Sequence, residues 1–325
     1  MILSRTPFRM SFVGGGTDIP AFYAEEAGAV ISTAIKKYMY IVVHRKFDNR
    51  IRLSYSRTED VERVDEISHP LVRESLKLLN LGAGLEIASL ADIPSRGSGL
   101  GSSSSYTVGL LNALHVNKGK SVTPDLLAEQ ACEVEITRCG EPIGKQDQYA
   151  AAFGGFNFYE FLPDESVKVT PLSITKSTIH EIESRVLVFF TGRTRSASTV
   201  LSQQVTNIAE RPTRALARRM VRIVREFKEA VENKQIDLIG EMLHENWMLK
   251  KQFSSGVSNA EIDEWYVKGL GAGATGGKIL GAGSGGFLMF FASPEFHDRI
   301  KIQLSHLKVV DFKFEAQGST IILNN

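Results

Sequence analysis

Apolar and polar positions alternate from the first residue, and residues 1–12 predict a strand that runs into Val13-Gly14-Gly15-Gly16-Thr17-Asp18. The same pattern predicts strands over 30–44, 51–55 and 85–90, with a helix over 71–79 between the last two. A helix follows from Ser102 to about Val116, poor in large polar residues and therefore expected to be buried. Thr123-Pro124 supplies a cap and a proline for the next helix, expected to run to Gly140. Strands over 156–161 and 167–171 lead to a junction near residue 172, so the reading is two α+β halves, 1–172 and 173–325. In the second half the pattern predicts a buried strand over 186–191 and helices over 211–233 and 236–253. Ser258-Asn-Ala-Glu261 then opens a helix to Leu270 as a capping box. Lys278–Gly286 is expected as a strand with a glycine turn, followed by a strand over 287–291, a helix over 294–305 and a strand over 309–314. No internal repeat interrupts this order.

The stretch that organises the chain is Pro94-Ser-Arg-Gly97-Ser-Gly99-Leu100-Gly101-Ser102-Ser103-Ser104-Ser105. Glycines at alternate positions let backbone N–H groups converge with no Cβ in the way. The serines then open a helix whose first amides are unpaired and carry the positive end of its dipole. Such a place receives phosphate. A Gly/Ser linker is the other reading, but linkers do not run from an apolar strand straight into a helix. The loop lacks the lysine of a Walker P-loop. The two later G-x-G-x-x-G matches, from Gly271 and from Gly281, lack the strand-to-helix setting of a dinucleotide site.

Composition changes the picture only by exclusion. With 325 residues the chain can hold two proper cores, and its 38 basic against 37 acidic residues give no field for nucleic acid or an anionic membrane. No secretory signal or membrane span is expected, and a cytoplasmic location is. Cys132 and Cys139 lie roughly 10 Å apart along one predicted helix, beyond disulfide reach, and read as buried thiols. The seven histidines form no zinc pattern.

Three further places carry chemistry. Asp18 leaves the triple-glycine turn, where it would accept hydrogen bonds from sugar hydroxyls or cap the helix from Pro20. Glu133, Glu135 and Asp147 lie among small and apolar residues, Asp147 flanked by Lys145 and Gln148. Thr191-Gly-Arg193-Thr-Arg195-Ser196-Ala-Ser198 is a second donor-rich turn, read either as an anion site or as ion pairs at a strand end. The arginines at 211, 214, 218, 222 and 225 form a helical stripe expected to be a solvated face.

The stretches PFRMSFVGGGTD, PSRGSGLGSSSS and KILGAGSGG, in that order, resemble the three signatures of the GHMP small-molecule kinase superfamily across nearly the whole chain. The resemblance implies an N-terminal domain like ribosomal protein S5 domain 2, a ferredoxin-like C-terminal domain, and ATP in the cleft between them. It implies ATP contacts from Gly97, Gly99, Leu100, Gly101, Ser102, Ser103 and Ser104, and Mg²⁺ held by Ser103 and Glu135. Arg9 falls at the first motif's arginine. Asp147 falls at the catalytic base, twelve positions after Glu135 as in galactokinases. Gly281, Gly283 and Gly285 support the phosphate loop. Gly15, Gly16, Thr17 and Asp18 stand where galactokinases carry their galactose grip, which is absent, and the resemblance implies that these four contact the acceptor. With GKQDQYAAAFGGFN and TGRTRSAS the chain most resembles D-glycero-D-manno-heptose 7-phosphate kinases, and fucokinases share parts of this version. The implied activity is anomeric phosphorylation of a sugar phosphate, feeding nucleotide-activated heptose synthesis, with Arg193 and Arg195 on the acceptor's remote phosphate. Fucokinase or another free-sugar kinase is the alternative, a non-catalytic ATP and sugar sensor a more distant one, and a homodimer is compatible with either.

Overall fold

The computed structural model describes residues 1–93, 98–193, 197–208 and 210–325. Two long antiparallel strands, β1 (Ile2–Val13) and β2 (Gly28–Arg45), form its spine, with the short helix α1 (Pro20–Tyr23) between them. The hairpin β3 (Ile51–Ser54) and β4 (Thr58–Val61), the helix α2 (Pro70–Leu78) and β5 (Leu85–Ala91) follow. Next come the helices α3 (Ser102–Asn117), α4 (Pro124–Cys132) and α5 (Gln146–Phe153), then β6 (Phe156–Phe161) and β7 (Val167–Pro171). The second half begins with α6 (Lys176–Arg185), β8 (Val186–Phe190) and α7 (Ala197–Ile208). It continues through α8 (Arg211–Glu232), α9 (Ile239–Lys250), α10 (Ala260–Gly271), β9 (Gly276–Ile279) and β10 (Phe287–Phe291). The chain closes with α11 (His297–Gln303), β11 (Lys308–Val310), β12 (Phe314–Glu315) and β13 (Thr320–Asn324).

The first sheet runs β13-β1-β2-β5-β3-β4, with β6 and β12 also on β2, and only β3 and β5 pair in parallel. The second runs β11-β8-β10-β9, wholly antiparallel. In order of appearance its strands lie 4-1-3-2, and with helices after the first and third this is the expected ferredoxin-like succession.

Helix α3 is buried on nearly every side, as its composition predicts, because small residues let it lie close on β1. A Cβ on Gly109 would sit 2.7 Å from the Thr6 hydroxyl, Ser4 Oγ donates to Gly109 C=O, and Ser105 Oγ donates to Pro7 C=O. The halves share one core: Phe12 of β1 stacks on Phe156 at 5.1 Å and meets Phe227 of α8 at 5.5 Å and Phe314 at 6.2 Å.

Several boundaries differ from the sequence reading. The helix expected to reach Gly140 stays α-helical only to Cys132 and continues as a π-helix, Glu133–Arg138, where Cys139 N–H reaches back to Val134 C=O. The helix expected from 236 begins with a 3₁₀ turn, Ile236–Leu238, and of the third signature only Lys278 and Ile279 pair as strand, at the end of Gly276–Ile279. Asn259, not Ser258, caps α10, because its side chain accepts from Ile262 N–H while Ser258 Oγ bonds Asp263. The expected strand 309–314 is divided, β11 joining the second sheet and β12 the first. Since β13 pairs with β1, the last residues of the 173–325 segment complete the first sheet. Of the arginine stripe, Arg214 is buried and bonds Glu25, and Arg218 bonds Glu26 at 2.8 Å, so part of that face ties α8 to the loop after α1. Both thiols are free, Cys132 buried as expected but Cys139 half-buried.

Candidate active site

The centre is an ion pair between two residues 138 positions apart. Arg9 sits on β1 two residues past Pro7, just beyond a break in register with β2 that re-aims the strand. Its Nε and Nη2 donate to Asp147 Oδ1 and Oδ2 at 2.7 and 2.8 Å, a bidentate fork, and Nη1 donates to Gly99 C=O at 2.6 Å. Arg9 N–H also meets Leu100 C=O at 3.1 Å. The guanidinium is buried, 4% exposed, while Asp147 opens toward the cleft at 24%. The serine loop therefore crosses directly above the pair.

That crossing requires glycine. Gly99 and Gly101 adopt φ of +74° and +71°, and a Cβ on Gly101 would lie 3.3 Å from the Asp147 carboxyl. On Gly99 it would lie 2.2 Å from Leu280 C=O. The third signature thus buttresses the loop as expected, with Gly281 against Gly99, Gly283 against the Val257 backbone and Gly285 against Arg193 C=O. Helix α7, which the sequence reading missed, steadies this buttress through Gln204, whose Nε2 donates to Ala282 C=O at 3.1 Å.

Helix α3 starts beside the pair, so its first turn and positive dipole end lie on the same side as Asp147. Ser103 is exposed there and donates to Glu135, which is fully buried on the π-helix. Gln148 Nε2 donates to Glu135 Oε2 at 2.6 Å, and the Ser104 hydroxyl also bonds this carboxylate. Burial pushes Glu135 up to about 7 against the lowering effect of these bonds, and the nearby Asp147 charge adds to the rise. Glu133 faces outward to Arg138 at 2.7 Å, as its different helical face demands. Ser102 and Ser104 are buried at the head of α3, and Ser98 Oγ reaches Ser102 Oγ at 3.5 Å.

The triple-glycine turn is pinned rather than open. Asp18 Oδ1 accepts from Gly16 N–H at 2.9 Å and Oδ2 from Gln146 N–H at 3.3 Å, while Lys145 N–H meets Asp18 C=O. Its side chain does not cap α1, whose N-cap residue Ile19 has no side-chain bond, and takes instead the first amide of α5. Burial raises its pKa. Thr17 Oγ1 donates to Gly14 and Ala29 C=O at 2.9 Å and accepts from Ala29 N–H, so its hydroxyl holds the turn to β2. Gly15 lies 3.6 Å, measured from an added Cβ, from the Gln146 amide, and Gly14 N–H donates to Asn246 Oδ1 at 3.0 Å.

Sequence reasoning missed two lysines behind this turn. Lys250 Nζ donates to Gly15 C=O at 2.6 Å, and Lys278 Nζ donates to Ser11 C=O at 3.1 Å. Both are buried. A signal existed for each: Lys250 continues the buried α9 face of Leu243, Asn246 and Trp247, and Lys278 stands in an otherwise apolar strand. Arg193 is half-exposed and paired with Glu261 at 2.6 Å, the ion-pair reading of that turn. Gly97, Arg195 and Ser196 lie outside the described residues.

Among the described residues no helix is long and apolar enough to cross a membrane. The model for the N-terminal domain of GHMP kinases matches residues 70–155, and that for their C-terminal domain matches residues 227–304. A D-glycero-alpha-D-manno-heptose 7-phosphate kinase of Campylobacter jejuni is 31% identical over 98% of this chain and 97% of its own length. Among solved structures, one described as a putative sugar kinase of Campylobacter jejuni is 28% identical with a TM-score of 0.75, covering 98% of this chain and 97% of that one. A D-glycero-D-manno-heptose 1-phosphate kinase of Bacteroides thetaiotaomicron has a TM-score of 0.82 over 100% of both chains at 24% identity, a likeness of fold.

Proposed function

The chain belongs to the GHMP kinases, phosphotransferases that use ATP and a hydroxyl acceptor, and from that premise we propose that it phosphorylates the anomeric oxygen of D-glycero-D-manno-heptose 7-phosphate. The observation that carries the chemistry is the Arg9–Asp147 fork beneath the glycine-serine loop at the head of α3. The acceptor follows from the full-length relative at 31% identity.

Phosphoryl transfer needs positioning and neutralisation of charge. The loop backbone at Gly99–Gly101 and the free amides of α3 receive the β- and γ-phosphates. Asp147 accepts the proton of the anomeric hydroxyl as that oxygen bonds the γ-phosphorus and ADP leaves. Arg9 orients both carboxylate oxygens and faces the charge developing on the transferred group. Ser103 and Glu135 fit a hard divalent cation, offering one hydroxyl and one carboxylate at the phosphate-binding end of α3, as Mg²⁺ takes when nucleotide oxygens supply the rest. When bound, Mg²⁺ supplies charge neutralisation to the phosphates. Asp18 and Thr17 shape the acceptor turn. Arg193 pairs with Glu261 on the surface, where such pairs contribute about 1 kcal/mol or less, so a phosphate dianion can replace the carboxylate.

The test is ADP release across a panel of free sugars and sugar phosphates, with the phosphorylated carbon read by NMR. Heptose 7-phosphate giving a 1,7-bisphosphate is the expected result. Better turnover of free L-fucose, or no ADP with any sugar, overturns it.

A further inference from the structure

The lysines behind the acceptor turn belong to neither phosphate binding nor proton transfer. Lys250 is the last residue of α9 and Lys278 lies on β9, both in the second half, yet each ends on the segment of the first half that joins Arg9 to Asp18. Lys250 Nζ takes Gly15 C=O, three residues before Asp18, and a Cβ on Gly16 would come within 2.8 Å of that ammonium. Lys278 Nζ takes Ser11 C=O, two residues after Arg9, and lies 3.4 Å from Ser11 Oγ. Among the described residues neither has a carboxylate within ion-pair distance, whereas the half-buried Lys251 beside Lys250 does.

A buried ammonium held by neutral oxygens, with the Phe253 ring 5.5 Å from Lys250 and no described carboxylate in ion-pair reach, is costly, and a hydrophobic side chain of similar length would pack there at lower cost. What a charge adds at this place is a field on Asp18. That carboxylate is itself buried, it faces Asp147, and Tyr23 and Cys132 lie near it. The cations of this neighbourhood are Arg9, Lys250 and Lys278, together with Lys145, whose N–H meets Asp18 C=O and whose ammonium lies over the Tyr23 ring at 4.9 Å. The two amide bonds from Gly16 and Gln146 that close the turn onto the start of α5 are strongest to an ionised Asp18.

We propose that Lys250 is a positioning residue for the acceptor, its buried ammonium keeping Asp18 ionised and so holding the glycine turn closed on Gln146. Lys278 reinforces it from the next strand. Burial holds Lys250 at about 8, below its ordinary 10.5, with the Arg9 charge acting the same way, and the Asp18 charge pulls it back up. It also makes acceptor binding depend on the second half, since the charge that sets the first-half turn comes from α9. The part concerning acceptor affinity rests on the kinase reading; the part concerning Asp18 does not.

The experiment uses the full chain without ligand. The ¹³C-carboxyl signal of Asp18, identified by its loss in Asp18→Asn, is titrated in wild type, Lys250→Met and Lys250→Arg, each shown folded by circular dichroism. Lys250→Met should move the Asp18 midpoint up by about one pH unit or more, and Lys250→Arg should restore most of the difference. Wherever the wild type turns over a sugar phosphate, Lys250→Met should raise KM for that acceptor about tenfold, leave KM for ATP within about twofold, and shift the acid limb of acceptor kcat/KM upward with the carboxylate. An unchanged Asp18 midpoint in Lys250→Met overturns the inference whatever the activity. An enzyme inactive on every sugar overturns the kinase reading and leaves the titration to decide this one.

Discussion

Two buried charged groups lie on either side of Asp147, and they are built in opposite ways. Glu135 is desolvated, yet three side-chain donors from Ser103, Ser104 and Gln148 surround it. Lys250 and Lys278 are desolvated too, but their partners are main-chain carbonyls of β1 and its turn. Side-chain donors can rotate away and yield a carboxylate to a cation, and Ser103 is exposed to do so. Main-chain carbonyls held in a strand and its turn cannot. A buried carboxylate with exchangeable partners suits an ion that comes and goes, whereas buried ammoniums on fixed partners suit a field fixed in place for as long as they stay protonated. Asp147 adjoins both, raising the pKa of Glu135 on one side and of Asp18 on the other.

The severest way to break the comparison is to remove the residue between the two regions. Asp147→Asn should lower turnover by roughly two orders of magnitude or more while Mg-ATP still binds, as single-turnover and nucleotide-binding measurements would show. Near-normal turnover in the folded variant would place the base elsewhere. Next in size, Glu135→Gln should raise the Mg²⁺ concentration for half-maximal rate by at least the roughly 10-fold that loss of even an outer-shell partner costs, with Glu133→Gln close to wild type. A loss equal at every Mg²⁺ concentration would deny Glu135 its ion. Gly99→Ala strains the loop where it leans on Leu280: a left-handed backbone with a Cβ costs about 1–2 kcal/mol before that clash, so KM for ATP should rise roughly five- to thirtyfold or more while KM for the sugar holds. A change in both would mean that the loop and the acceptor turn move together.

The smallest effect separates the two regions by sign. Burial raises Glu135 from 4.5 to about 7, so between those values the folded chain keeps a proton the unfolded chain has lost, and stability falls as pH rises. Burial lowers Lys250 from 10.5 to about 8 and Lys278 to about 7, so there the unfolded chain keeps the proton and stability recovers as pH rises toward 10.5. Melting temperatures of the ligand-free protein should therefore show Glu135→Gln gaining on wild type as pH climbs from about 5 to 7. The advantage of Lys250→Met should be greatest near pH 7 and shrink as pH approaches about 10. Parallel curves for the two variants would erase the distinction.

Much of this was legible in the sequence, and the reason is local. Alternate glycines and a serine-rich helix start leave marks within a few residues, so the loop was readable locally, whereas Arg9, Glu135 and Asp147 were singled out by the resemblance to the GHMP signatures. The strands of the second half were readable as short buried runs such as Val186–Phe190 and Phe287–Phe291, and their ferredoxin-like arrangement was implied by the same resemblance. Helices α6 and α7 escaped because one is polar and half-exposed and the other follows a turn whose donors drew the reading toward ligand binding. The return of β13 to β1 escaped because strand partners hundreds of residues apart leave no local pattern. Thr17 was read as a ligand contact where it is a brace, since a hydroxyl's partners depend on the backbone that folds around it. The lysines were passed over for the converse reason, a long side chain being taken for a surface one.

The π-turn that carries Glu135 sets an angular phase as well as a position. Each residue of a regular helix advances the side-chain direction by about 100°, and the wider turn of Glu133–Arg138 holds one residue more than a regular helix would need. Excising Val134 would let the segment relax into ordinary α-helix and swing the glutamate by about a quarter-turn, away from Ser103 and Gln148, with no change in any group that touches substrate. The proposed ion site is thus encoded in a count of residues, and a single deletion would erase it where most substitutions nearby would not.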